Sequence, residues 1–360
     1  MTIDIFSQRE LLEIRRDMRL EAPTDFWRRT FFGGAPHYSE NKEISFGKIV
    51  GFRQMAPFAL PTHMGKPIYK ERGASLESFL PGYIKLLDAV RPQDATTLTP
   101  DEILTGNRSD MTTRFGLRTA EVSMQHMDAI YRRWDWMCAK AVIDGAVTVN
   151  YENEQGQDNP SVTISYGRDS NLTVTGIDWS SAGADILGNL GSWTTLMRKA
   201  QFGGSPNTLI VGTNVAPLFQ KNTGILSLLS TQTRGGERTS VERGIYAGND
   251  RANDPAYICT LAGNGVTIDV YCYSDQQYNS TGTAVEVLGV NDIVMLAPGY
   301  QGRMAFGAIY DVNGGQGVVR ADVFQKQWEE ENPSQISMLS QSAPLPIPLT
   351  VNKSFKATVL

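Results

Sequence analysis

The chain has 360 residues, 41% hydrophobic and 20% charged. That suffices for a substantial core, spread over roughly two domains at about 150 residues each, and argues against global disorder. The 33 basic and 38 acidic residues leave a net charge of −5, which excludes the Lys/Arg excess of a protein that coats nucleic acid.

Residues 7–20 are expected to form a short amphipathic helix. Ser7 and Glu10 make a capping-box pattern, and Phe6 and Leu11 take the staple positions. Leu11, Ile14 and Met18 share one face. One narrow apolar stripe on a terminal helix needs a surface to land on, either its own domain or a neighbouring subunit; the pattern leaves both open. The segment carries acids throughout and lacks an apolar h-region, so no signal peptide is expected. No uncharged run approaches the ~18–20 residues of a membrane helix, so no membrane partner is expected. Pro23 ends the helix.

Phe26, Trp27, Phe31 and Phe32, with Arg28 and Arg29 between them, form an aromatic anchor that stops at Gly33-Gly34. In a core this is a packing anchor; its place in a terminal arm also suits an interface. From 39 to 90 no helical period is sustained. Pro57, Pro61 and Pro67 exclude a helix or a central strand there. Ile44–Val50 alternates imperfectly, and Ile68–Lys70 is placed to return antiparallel to it. An extended excursion of about fifty residues needs a job, and pairing with a neighbour is one.

Arg114–Ile143 is the clearest helix. Leu117, Ala120, Met124, Met127, Tyr131, Trp134, Cys138 and Ala141 make an apolar seam with alternating spacings of three and four. Thirty residues give roughly 45 Å, and Gly145 is the expected stop. The flanking positions lack the charge pairing of a coiled coil, so the helix is expected to lie across a sheet. Val147–Tyr151 and Val162–Tyr166 read as a hairpin. Residues 181–312 mix expected helices (184–201 and 214–229) with strands (208–212, 266–273 and 293–296), an α/β unit of its own. An exposed loop is expected from Gly235 to Arg251. The tail after Trp328 reads as strand punctuated by Pro344, Pro346 and Pro348.

The residues supply little chemistry. His37, His63 and His126 form no i,i+4 pair and no H-E-x-x-H. Cys138, Cys259 and Cys272, an odd number with no C-x-x-C, argue against a disulfide framework and structural zinc, and suit a reducing compartment. There is no phosphate-binding loop and no nucleophile elbow, and Gly263-Asn264-Gly265 precedes a strand rather than opening a helix. Thr233–Arg238 suits a solvated loop better than an anion nest. Glu329-Glu330-Glu331 reads as a charged turn before Asn332-Pro333. No catalytic, cofactor-binding or metal-ligating residue is expected, and no cofactor.

Three stretches carry a resemblance. FWRRTFF (26–32) followed by RGASLESFLPGYIK (72–85), the Gly167-Arg168 junction, and the tail with Trp328, Asn332-Pro333 and Gln341–Leu345 together resemble the lambda-type (protein E) family of tailed-phage major capsid proteins. The order of elements is similar across nearly the whole chain. The resemblance implies an α+β, Hong Kong 97-like capsid fold: N-terminal arm 1–38, E-loop 39–95, P-domain 96–180 with spine helix 114–143, A-domain 181–312, and P-domain return strands 313–360. It implies a major head protein that assembles with itself, as pentamers and hexamers, into an icosahedral shell around double-stranded DNA without sequence-specific binding. It further implies separate scaffolding, decoration and portal proteins, assembly in the host bacterial cytoplasm, and a final place in the virion capsid. Phe26, Trp27, Phe31, Phe32, Phe58, Arg72, Phe79 and Tyr83 become candidate intersubunit contacts, with Gly33 and Gly34 as candidate hinges. The competing reading is a cytosolic α/β enzyme or small-molecule binding protein built on 181–312.

Overall fold

The computed structural model describes residues 25–49, 74–96, 110–150, 161–226, 254–263, 266–278, 282–312 and 317–360. The expected helix at 7–20 and most of the proline-rich excursion lie outside them. The described chain opens with helix α1 (Phe26–Phe31), then strands β1 (His37–Tyr38), β2 (Ile44–Ile49), β3 (Ala74–Phe79) and β4 (Ile84–Val90). Helix α2 (Met111–Ile143) leads into β5 (Ala146–Val149), β6 (Val162–Ser165) and β7 (Thr173–Val174). Helix α3 (Ile186–Lys199), β8 (Thr208–Val211) and helix α4 (Ala216–Lys221) follow, then β9 (Ala256–Gly263), β10 (Val266–Cys272), β11 (Gln276–Tyr278), β12 (Ala284–Glu286) and β13 (Asp292–Leu296). The last part holds β14 (Gly302–Phe306), β15 (Ile309–Tyr310), β16 (Val318–Val319), β17 (Phe324–Glu331), β18 (Ser334–Ser342), β19 (Pro344–Pro348) and β20 (Ser354–Thr358).

Helix α2 runs for 33 residues, roughly 50 Å. Gly145 follows it at φ +66, the left-handed stop that glycine adopts without strain. The expected seam holds only in its C-terminal half, where Met127, Trp134, Cys138 and Ala141 are buried. Towards the N-terminus Leu117 and Met124 are 58% and 47% exposed, and the buried stripe is Phe115, Thr119, Val122 and His126. A three-four alternation falls short of 3.6 residues per turn and drifts about 20° per heptad on a straight helix. From Leu117 to Met127 that drift is only about 30°; the larger cause is that the sheet lies against the Phe115 side of the helix, about 200° round from Leu117.

Two three-stranded sheets pack along this helix. Beneath its N-terminal half lies β17-β18-β4, joined antiparallel. Phe115 and Val122 pack there on Val90, Ile336 and Met338. Strands β17 and β18 form a hairpin that turns at Asn332-Pro333. Glu329-Glu330-Glu331 is thus the end of a paired strand rather than the expected charged turn.

Beside the C-terminal half lies β1-β14-β19. Strand β19 is an edge bearing three prolines. Pro348, Pro346 and Pro344 face Gly302, Met304 and Phe306, while the flanking amides bond inward: Leu349 N–H donates to Gln301 O, and Ala343 O accepts from Gly307 N–H, both at 2.9 Å. The missing proline N–H groups thus fall on the outer edge. That is where a strand tolerates proline and where proline blocks a further strand.

The third sheet, β7-β20-β13-β8-β10-β9, is mixed. Alternation along its central strands feeds two cores. Leu209, Val211, Ile293 and Met295 face α3 with Trp193 and Met197. Ile210, Val294 and Leu296 face Trp27 and Trp134 on the opposite side. Both faces are covered, so β8 and β13 read as continuous apolar runs. The expected helix at 214–229 is broken at Asn222, whose side chain accepts from Ile225 N–H (3.1 Å) and donates to Ala184 O (2.7 Å). Strand β9 was not expected. It pairs antiparallel with β10, and Gly263 faces Val266 across Asn264-Gly265, a dipeptide favoured in tight hairpin turns.

Sheet membership does not follow the cuts expected at 180/181 and 312/313. β7 and β20 belong to the six-stranded sheet, whereas β14, before residue 312, pairs with β19. The expected hairpin at 147–166 is present as β5–β6. The partner of β2 is β3, from Ile44↔Phe79 to Ile49↔Ala74; residues 68–70, expected to return against β2, lie outside the described residues.

Candidate assembly surfaces

Helix α1 has only six residues, too few to be stable without tertiary contacts. Trp27 is 0% exposed and Phe32 2%. Trp27 meets Tyr273 edge-on at 5.4 Å, and Phe26 meets Trp27 likewise at 5.3 Å. The Arg28 guanidinium lies over the rings of Tyr131 (5.4 Å) and Trp134 (5.7 Å) on α2, a cation–π arrangement. The Arg28 backbone N–H donates to Asp135 Oδ1 at 2.8 Å. The Arg29 guanidinium donates to both carboxylate oxygens of Asp254 at 2.9 Å. Of the candidate contacts, Trp27 and Phe32 are thus placed in the chain's own core. Phe26 and Phe31 are half-buried and line a cavity of about 440 Å³ with Tyr271, Tyr300 and Pro298.

The chain leaves this anchor through Gly33 and Gly34. Gly33 bridges Arg303, and a Cβ on it would stand 3.0 Å from Arg29 O. The β2–β3 ribbon then departs, and Phe79 at its base is half-buried against the main core. Tyr83 follows: its hydroxyl donates to Gln341 Oε1. Its pKa is raised by burial and by the nearby Asp311 charge. Phe58 and Arg72 lie outside the described residues.

Four polar residues organise these surfaces: Arg168 and His126, named from the sequence without these contacts, and Lys356 and Asp135, which pattern reading passed over. Arg168 donates to the Ile143 carbonyl (2.7 Å) and to Thr173 Oγ1 (2.8 Å), tying the end of α2 to the six-stranded sheet. Nearby, Lys356 on β20 pairs with Asp144 (2.8 Å) and Asp292 (3.1 Å). His126, 3% exposed, bridges Ser340 (2.9 Å) and Asp88 (2.7 Å). With Ser123 and Gln325 it makes a polar seam between α2 and β18. Asp135 is 0% exposed, and burial pushes its carboxyl up to about 7. The only trace of it in the sequence is one acid inside an apolar helix stretch (Trp134-Asp135-Trp136). Among the described residues no group of three His, Cys, Asp or Glu is placed to hold a metal, and no helix is long and apolar enough to cross a membrane. The free cysteines are 138, 259 and 272.

The family model described as phage major capsid protein E matches residues 7–359. The major capsid protein of Escherichia phage lambda is 24% identical over 324 residues, covering 88% of this chain and 89% of that protein. Among solved structures, a prophage protein of E. coli CFT073 assigned as a capsid protein superposes with a TM-score of 0.70 at 16% identity. It covers 99% of this chain and 100% of its own, which shows the fold. The mature capsid of bacteriophage PhiM1 aligns at 12% identity with a TM-score of 0.47, over 93% of this chain and 87% of its own.

Proposed function

The chain belongs to the phage major capsid protein E family, and we propose from that premise how its parts share the work of building a shell. It is a capsid protein with an α+β, Hong Kong 97-like fold, its copies assemble with one another into the shell, and its place is the virion capsid. The family is structural.

Residues 1–38 act as an arm anchored by α1, and 39–95 as an E-loop that leaves the body on the β2–β3 ribbon. The P-domain comprises 96–180 and 313–360 around α2, and the A-domain 181–312, with β7 and β20 lent to the A-domain's sheet. Pentamers and hexamers close an icosahedral shell around double-stranded DNA, held without sequence-specific contacts. Separate scaffolding, decoration and portal proteins complete the particle, which is put together in the host bacterial cytoplasm. The chain performs no catalysis. Phe26, Phe31, Phe58, Arg72, Phe79 and Tyr83 meet neighbouring copies, while Trp27 and Phe32 hold the arm's root from inside. Gly33 and Gly34 are the hinge.

The observation that carries this reading is the two-stranded ribbon that departs the body next to the arm's root. Its six-residue strands find no third strand among the described residues, and a two-stranded ribbon is marginal in water unless something covers it. A neighbouring copy does so in a shell. Weak contacts repeated at many interfaces add up to a stable closed particle. The test is negative-stain electron microscopy of the purified protein, alone and with candidate scaffold genes. Closed shells, or rings of five and six, are expected. Small discrete oligomers under both conditions would overturn the pentamer–hexamer reading.

A further inference from the structure

Asp135 sits on the face of α2 that receives α1. Its Oδ1 accepts from the Arg28 N–H (2.8 Å), one of the first amides of α1, which have no partner within that helix. Its Oδ2 is buried without a hydrogen-bond partner among the described residues. The Arg28 guanidinium is turned away to Asp25 (3.4 Å) and to the Tyr131 and Trp134 rings. No cation therefore pairs directly with the buried carboxylate. The titratable and charged groups facing it are Asp25 and Arg28 on the arm, Tyr131 and Cys138 on its own helix, and Tyr273 and Asp275 beyond β10, with Arg132 next to Asp275.

We propose that Asp135 is a pH-sensitive catch between the arm and the long helix: neutral, it lets α1 stay docked, and charged, it favours α1 lifting away so that water reaches the carboxylate. This rests on the reading of α1 as the root of a movable arm, but the test uses the subunit itself, so shell formation does not enter.

The sign follows from linkage. Desolvation is the largest cause that raises the docked carboxyl from 3.8 to about 7; lifting α1 off would return it towards the ordinary value. The docked state therefore holds the proton more tightly. Docking is firmest below about pH 4, weakens up to tenfold per unit as the pH rises, and levels off above about 7. Between pH 5 and 8 the opening constant of α1 should rise about a hundredfold.

Hydrogen exchange followed by mass spectrometry on peptides covering 25–33 of the full chain reads this constant directly, once corrected for the intrinsic pH dependence of exchange. The expected result is a steep rise in the wild type and a flat profile in Asp135→Asn, which keeps the shape and the acceptor oxygen. A flat wild-type profile, or equal slopes in both proteins, would overturn the proposal. Should Asp135→Asn not fold, infrared difference spectra of the wild type decide the matter. A buried carboxylic acid band at pH 6 that fades by pH 8 supports the catch, and its absence refutes it.

Discussion

The root of the arm is held by a ring on a glycine, and that contact can be measured by itself. Phe32 is 2% exposed. A Cβ built on Gly302 would stand 3.0 Å from its Cζ and closer still to Cε1 and Cδ1. Carbon atoms prefer about 3.5–4.0 Å, so Gly302→Ala forces the ring out of its seat. Gly302 is not among the glycines with positive φ, so the backbone itself accepts alanine. Losing the burial of one phenylalanine costs about 1.5–3 kcal/mol, and imperfect repacking should bring Gly302→Ala to about 2–4 kcal/mol. Phe32→Ala alone should cost about 3–5 kcal/mol. In the double variant the new methyl occupies space that the ring has vacated, so the pair should cost about as much as Phe32→Ala alone. Urea unfolding of the unassembled chain gives the four free energies of the cycle. A coupling of about 2 kcal/mol or more is expected. If the two losses simply add, within about 0.5 kcal/mol, the seat is not what holds Phe32 and this account of the arm's root is wrong.

Other consequences follow from the same contacts. Arg168→Lys should destabilise by about 1–3 kcal/mol, because one ammonium cannot serve both the carbonyls ending α2 and Thr173; an unchanged thermal midpoint would dismiss the tie. His126→Ala takes from the polar seam the ring that Ser340 and Asp88 bond and should cost about 1–3 kcal/mol. Ser123→Ala, at the edge of that seam, should cost less, and the reverse ranking by urea midpoint would show that the seam is assigned wrongly. Phe26→Ala with Phe31→Ala spares Trp27 and Phe32. This variant should leave a folded subunit by circular dichroism yet stop closed shells from appearing in the microscope; normal shells would remove these rings from the interface. Gly33→Pro should impair the shell's expansion, read as particle diameter, and an unchanged transition would sink the hinge assignment.

Much of the fold was legible because local rules act locally. Helix α2 showed in its period and in the glycine at its end, and β5–β6 in two β-branched runs. The edge position of β19 was implicit in the alternation of Pro344, Pro346 and Pro348. Strand β9 was missed although Asn264-Gly265 pointed to a hairpin, because Ala256–Gly263 alternates poorly. The seam of α2 was read with the wrong phase in its first half. A three-four pattern marks a helix faithfully but does not say which side will find a sheet. The aromatic run 26–32 was recognised as an anchor, yet its split into two core residues, Trp27 and Phe32, and two half-exposed ones, Phe26 and Phe31, follows from where α2 and β14 stand.

The amino-acid sequence by itself determined the class of protein: an α+β chain too acidic to coat nucleic acid, without metal-binding spacing, carrying an aromatic arm, a long excursion and one long helix in a family-specific order. Those properties depend on composition and on neighbours a few residues apart. The tertiary structure alone decided that β20 completes a sheet begun at β7, that Arg168 closes a helix ending 25 residues earlier, and that Asp135 is left buried without a counter-ion. Each depends on bringing together residues far apart in the chain. Such contacts are chosen by the global packing of both faces of the six-stranded sheet, which no local pattern encodes.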